Sequence, residues 1–180
     1  MTVEDRKSWA TKDEAVVHEL LDMLQLTPEE CALLVSLQDE ARANVSAVAN
    51  DFYQRLLAHD FTREFVTDPE GLLVTFTDWF MGLFSGKYDD AYAASRLAIG
   101  KKHVIIGLPV RYPLAMLDVL SGHGERIAAT KGPAAVKAFR KVLAIDLATF
   151  NQAYENGQLE HLSELTGSER LARRLLTGGC

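Results

Sequence analysis

Apolar residues recur at helical spacing in nearly every segment of this chain, and that periodicity points to an all-helical fold. The clearest run is Val45, Val48, Ala49, Phe52, Tyr53 and Leu56, which falls on one face of a helix. Leu72, Leu73, Phe76, Trp79, Phe80, Leu83 and Phe84 make a wider and bulkier face. Val136, Phe139, Leu143, Leu147, Phe150 and Tyr154 form a near-heptad stripe, with Val142 and Ile145 on a second side. A helix apolar on two faces is either enclosed by its own chain or shared with a partner subunit.

Local signals divide the chain into helices. An amphipathic opening helix is expected over 12–25. Thr27-Pro28-Glu29-Glu30 reads as a helix start, with Thr27 as cap, Pro28 at the first position and Glu30 completing a capping box. A break is expected near Asp39, a loop over 67–71, and a helix end at Ser85-Gly86-Lys87. Residues 88–102 carry Tyr88, Tyr92, Arg96 and Ile99 at one-turn intervals and lead to His103. Pro109 is expected to open a helix running to residue 130, and Gly132-Pro133 to turn the chain into a long last helix. The tail from Ser163 to Cys180 reads as a short amphipathic helix leading out of the domain. The expected division is therefore a domain over 1–160 and an exit helix or linker over 161–180.

With 180 residues, 48% of them hydrophobic, the chain can bury one substantial core. A formal charge of −6 without a basic stripe argues against nucleic acid as a partner. Asp78 and Lys87 interrupt the longest apolar windows, so no bilayer span is expected. The first residues have no apolar segment behind them and do not read as a secretion signal. Cys31 and Cys180 form neither a disulfide framework nor a metal spacing. A cytoplasmic, reduced setting is expected.

One histidine stands apart from the other four. His103 lies between a helical segment and the run Ile106-Gly107-Leu108-Pro109, which can hold one imidazole rigidly toward an apolar pocket. His18, His59, His123 and His161 lie in polar or helix-terminal surroundings and suit structural or solvent roles. On residue type alone, a solitary histidine is more often a hydrogen-bonded core residue than a ligand. No neighbouring His, Cys, Asp or Glu would complete a zinc or non-haem iron site. A haem needs only one protein ligand, because the porphyrin supplies four nitrogens. The aromatic helix over 72–84 suits one wall of a haem slot, or plain core packing. The Tyr53 hydroxyl needs a partner on its apolar stripe, either a backbone carbonyl or a bound gas.

Gly100-x-x-His103-x-x-Ile106-Gly107-Leu108-Pro109-x-Arg111, with Phe52-Tyr53 upstream, resembles the globin-coupled sensor family over residues 12–160. The resemblance implies a globin sandwich that lacks one short helix and gains one at the N-terminus. It also implies two long C-terminal helices in a dimeric four-helix bundle. Haem b would be the cofactor, with His103 as proximal iron ligand and Tyr53 hydrogen-bonded to bound O2. Leu72 and Thr75 would be further ligand contacts, and Phe52, Phe76, Phe80, Ile99, Ile106 and Tyr112 would line the haem. CO and NO would bind too, and an output domain would follow in a longer chain. Tyr112-Pro113 departs from the Trp-Tyr pair that members often carry.

The implied function is dioxygen sensing through a shifted dimer interface, without catalysis by this domain. The rival readings are a haem-free regulatory module, a stand-alone O2-binding globin and, last, an enzyme acting on oxygen, nitric oxide or peroxide. The enzyme ranks last because the chain has no nucleotide loop and no distal histidine–arginine pair.

Overall fold

A computed structural model describes residues 7–9 and 11–178; Cys180 lies outside the described residues. The elements are a 3₁₀ turn at Lys7–Trp9, then α1 (Ala15–Leu24), α2 (Pro28–Val35), α3 (Gln38–Leu57) and α4 (Asp60–Arg63). They continue as α5 (Pro69–Gly82), α6 (Asp90–Ile105), α7 (Arg111–Ala115), α8 (Leu117–Ala129), α9 (Pro133–Thr166) and α10 (Glu169–Leu176). No strand occurs among the described residues, so the all-α expectation holds. No helix among them is long and apolar enough to cross a membrane.

Helix starts follow the capping chemistry. The Thr27 hydroxyl accepts from the Glu30 backbone N–H at 3.2 Å, and the Glu30 carboxylate accepts from the Thr27 N–H at 3.0 Å. Asp68 caps α5 through the Gly71 N–H, with Pro69 in the first turn. Asp89 caps α6 through the Tyr92 N–H. Gly167, at φ 68°, ends α9 in the left-handed conformation that a side chain would resist.

Several boundaries differ from expectation: α5 ends at Gly82 and not at Ser85–Lys87, α9 runs on to Thr166, and two breaks fall elsewhere in the chain. The break before α3 falls at Ser36–Leu37 rather than near Asp39, where the Ser36 hydroxyl donates to the Leu33 carbonyl at 2.7 Å and closes α2. The helix expected from Pro109 to residue 130 is two helices. The Met116 N–H closes α7 on the Tyr112 carbonyl, and the Met116 carbonyl opens α8 by accepting from the Val119 and Leu120 N–H groups.

α9 organises the molecule: α1, α2, α6, α8 and α10 all pack on it. α3 packs on α5 and α8, so α8 joins the two layers. Phe139, Val142, Leu143 and Ile145 are buried within the chain, whereas Val136, Leu147, Phe150 and Tyr154 of the near-heptad stripe are half-buried. Only α9 is long; α8 has 13 residues. α10 packs on α9. Lys12 pairs with Glu169 at 3.1 Å, and the Arg173 guanidinium lies 4.9 Å from the Trp9 ring.

An aromatic ladder runs through the core: Phe52, Phe76, Phe80, Phe84 and Phe139, with successive centroids 5.0 to 6.1 Å apart. It dictates one glycine. A Cβ on Gly124 would meet Phe139 Cζ at 1.9 Å, whereas one on Gly122, a half turn earlier, would meet nothing within 4 Å. Overpacking makes Gly124→Ala destabilising by about 1–3 kcal/mol. Gly122→Ala is expected to stabilise by up to about 1 kcal/mol through helix propensity. Thermal melts of the two variants should move in opposite directions.

Candidate functional site

His103 lies in the last turn of α6, and the Ile-Gly-Leu-Pro run is the device that ends this helix. Gly107 takes the left-handed conformation at φ 71°. Its N–H bonds the Val104 carbonyl at 3.0 Å, and the Leu108 N–H bonds the His103 carbonyl at 3.0 Å. This is a Schellman cap, with Pro109 preventing continuation. The Tyr154 hydroxyl, on α9, donates to the Leu108 carbonyl at 3.0 Å and ties the cap down.

The imidazole is fixed just as closely. Its Nδ1 lies 2.7 Å from the Ile99 carbonyl. A carbonyl only accepts, so Nδ1 carries the proton and a neutral ring leaves its Nε2 lone pair free. No hydrogen bond among the described residues engages Nε2. The ring meets Phe150 of α9 edge-on at 5.1 Å, and Phe150 in turn packs on Tyr154 at 5.4 Å. Burial pushes the His103 pKa below the ordinary imidazole value, with the Ile99 hydrogen bond opposing it. The neutral form therefore dominates at neutral pH.

This depression has a stability consequence. As pH falls through the ordinary imidazole range, the unfolded chain binds the proton first and gains stability relative to the fold. The loss stops growing once pH drops below the folded-state value. Between about pH 7 and 5, haem-free wild type should therefore lose more stability than His103→Ala. Denaturant midpoints against pH check this.

Tyr53 belongs to a second cluster, on α3 and α5. Its hydroxyl donates to the Leu72 carbonyl at 2.9 Å, and its ring packs on Phe52 at 5.5 Å and Phe76 at 5.9 Å. Burial pushes its pKa up to about 12, so the hydroxyl keeps its proton. Phe76 and Phe80 are buried beside it, the two rings stacked at 6.1 Å. Leu72 is half-buried, while Thr75 is exposed with its hydroxyl donating to the Gly71 carbonyl at 3.0 Å.

The remaining expected residues scatter around the α6 terminus. Ile99 is half-buried and holds His103 through its carbonyl; Ile106 is 53% exposed beyond the helix end. Tyr112 is half-buried under the Arg111 guanidinium, 4.6 Å from its ring. Among the described residues, no hydrogen bond or ring contact joins the His103 cluster to the Tyr53 cluster. Sequence reasoning missed Phe150 and Tyr154 as site residues, although both were visible in the α9 stripe. Among the described residues, no group of three or more His, Cys, Asp or Glu could hold a metal ion. A metal at His103 would have to bring its other donors.

A tethered neutral histidine at a Schellman-capped helix end, in an all-helical body, is matched by one family model over residues 13–160. The chain belongs to the protoglobin family. Its similarity extends to solved structures. It matches the globin domain of a Geobacter sulfurreducens globin-coupled sensor at 30% identity and TM-score 0.71, covering 76% of this chain and 96% of that one. The ferric globin domain of E. coli DosC shares the fold at 18% identity and TM-score 0.57, covering 78% of this chain and 96% of that domain. The heme-based aerotactic transducer HemAT of Halobacterium salinarum is 29% identical over 78% of this chain. This chain covers only 32% of that transducer's length. The fold is thus that of a globin, and the resemblance to globin-coupled sensors holds.

Proposed function

We propose that this protoglobin domain is a haem-based gas sensor, in which His103 Nε2 would hold the iron of haem b and Tyr53 would donate a hydrogen bond to dioxygen. The carrying observation is the free Nε2 of a neutral imidazole whose other nitrogen, ring face and helix end are all secured. Similarity to a heme-based transducer and a globin-coupled sensor supports the same reading.

The donor set suits the group. A porphyrin contributes four nitrogens, so one imidazole completes the protein's share. Haem, once bound, would supply the iron at which O2, CO or NO binds. The chain's own residues do the rest. The Ile99 carbonyl fixes the His103 tautomer and raises the basicity of Nε2. Phe52, Phe76 and Phe80 give an apolar wall, with Ile99, Ile106 and Tyr112 assigned to the rim. Leu72 limits access and excludes water, and the Thr75 hydroxyl is a second polar contact.

Tyr53 has a choice of partners. Its hydroxyl donates to the Leu72 carbonyl in this structure and would have to turn to reach a gas. Dioxygen, which gathers negative charge, rewards that donor more than CO does. Losing one such bond, about 1 kcal/mol, would raise the O2 dissociation rate of Tyr53→Phe about fivefold. CO release should change less. Stopped-flow displacement measures both, and an unchanged O2 rate removes Tyr53 from the mechanism.

Signalling is assigned to a homodimer through α8 and α9 and to an output domain in a longer chain, with the exit segment following the sensor domain. This part rests on the resemblance to globin-coupled sensors. A monomer by size exclusion in both gas-bound and gas-free states eliminates it.

The deciding experiment is spectroscopic. Purified protein is supplied with haem, reduced, and exposed to O2 and then CO. A Soret band that shifts reversibly with O2 is expected. No band at all favours a haem-free regulatory module, and a band indifferent to O2 removes the sensor reading.

A further inference from the structure

The seam between α6 and α9 carries a buried charge pair that the gas-binding reading does not use. Arg96 and Asp146 are each 4% exposed. Asp146 Oδ1 accepts from Arg96 Nε and from the Tyr92 hydroxyl, the latter at 2.9 Å, while Oδ2 accepts from Trp79 Nε1 at 3.0 Å. Arg96 Nη2 donates to the Trp79 carbonyl at 2.8 Å, and its guanidinium lies 4.4 Å from the Tyr92 ring centroid. One carboxylate on α9 therefore holds both α5 and α6.

The same seam holds the imidazole. Arg96 and His103 are seven residues apart, two turns on one face of α6. Their partners Asp146 and Phe150 are one turn apart on α9. Between them the backbones approach closely. A Cβ on Gly100 would lie 2.5 Å from Ala153 Cβ and 2.9 Å from the Phe150 carbonyl oxygen. A Cβ on Gly157 would lie 2.9 Å from Val104 Cγ1. α6 cannot roll or slide on α9 without breaking the ion pair or colliding at Gly100.

We infer that Asp146 is a positioning residue for His103: by anchoring Arg96 two turns upstream, it sets the register of α6 on α9 and so the pose of the imidazole against Phe150. This rests on the haem reading for its functional meaning. Packed apolar residues could match such a pair in stability. What they lack is a single register, which the carboxylate imposes by assigning each of its oxygens to named donors.

The test removes the whole network at once. Arg96→Met, Tyr92→Phe and Asp146→Leu are combined, which leaves no buried charge unpaired. The control is Lys141→Met with Glu30→Gln. It deletes another largely buried α9 ion pair, 2.7 Å long, that reaches α2 and not α6. Glutamine at position 30 keeps the capping box.

Two readouts apply: the iron–histidine stretching band of the ferrous haem-loaded protein, and solvent-exchange protection of the His103 Nδ1 proton by NMR in the haem-free protein. The triple variant should take up haem, yet show a shifted, broadened band and an unprotected Nδ1 proton. The control should match wild type in both. Wild-type values in the triple variant overturn the inference, as does an equal change in the control. Should the triple variant not fold, Arg96→Lys is read in the same way, with a smaller shift expected because one ammonium cannot reproduce the fork. If wild type takes up no haem, the sensor reading falls, while the NMR readout still decides the positioning role.

Discussion

His103→Gly is expected to abolish axial ligation entirely while leaving the haem-free fold nearly untouched. The side chain makes one hydrogen bond, to the Ile99 carbonyl, and one ring contact, to Phe150. The helix end does not depend on it, since the Schellman bonds use the backbone of residues 103, 104, 107 and 108. Glycine near the end of a helix costs about 1 kcal/mol, a minor loss for a chain of this size. The iron–histidine band should disappear and return when free imidazole is added, because imidazole restores a nitrogen to the vacated space. A spectrum unaffected by the substitution would place the ligand elsewhere.

Asp146→Ala should produce the largest loss of stability of any single replacement considered. It leaves the Arg96 guanidinium buried without a counter-charge, and strands the Tyr92 hydroxyl and Trp79 Nε1–H. Breaking a buried pair from one side costs about 3–5 kcal/mol. Typical domains have only about 5–15 kcal/mol to lose. At about 2–4 °C per kcal/mol, the melting temperature should fall by roughly 6–20 °C. Combining Arg96→Met, Tyr92→Phe and Asp146→Leu should recover most of that fall. A single variant melting with wild type would show that the pair contributes little and that water reaches Arg96.

These two residues also mark what could be read from the sequence. The helices, the Thr27 capping box and the Gly132-Pro133 start of α9 were legible because their signals are local. The Gly107-Leu108-Pro109 run was legible as a stop, and its chemistry is the Schellman cap that holds His103 in the last turn. The split at Met116 was missed because helical apolar spacing runs across it. The Ser36 break was missed because it depends on one hydroxyl choosing a carbonyl three residues back.

Asp146 was illegible for a different reason. A lone aspartate on a helix reads as solvent-facing, and its partners lie 50, 54 and 67 residues away in sequence. Arg96 was noticed only as part of a one-turn periodicity. The stripe carrying Phe150 and Tyr154 was legible as apolar, but nothing in the sequence reveals which of its residues are covered by the five other helices that pack on α9.

The most direct test of the account is a crystal structure of the haem-loaded, ferrous, O2-bound protein. It should place His103 Nε2 on the iron, with Nδ1 still at the Ile99 carbonyl and the Tyr53 hydroxyl turned from Leu72 toward the gas. An imidazole pointing away from the porphyrin, with apolar side chains closed over its place, would contradict it.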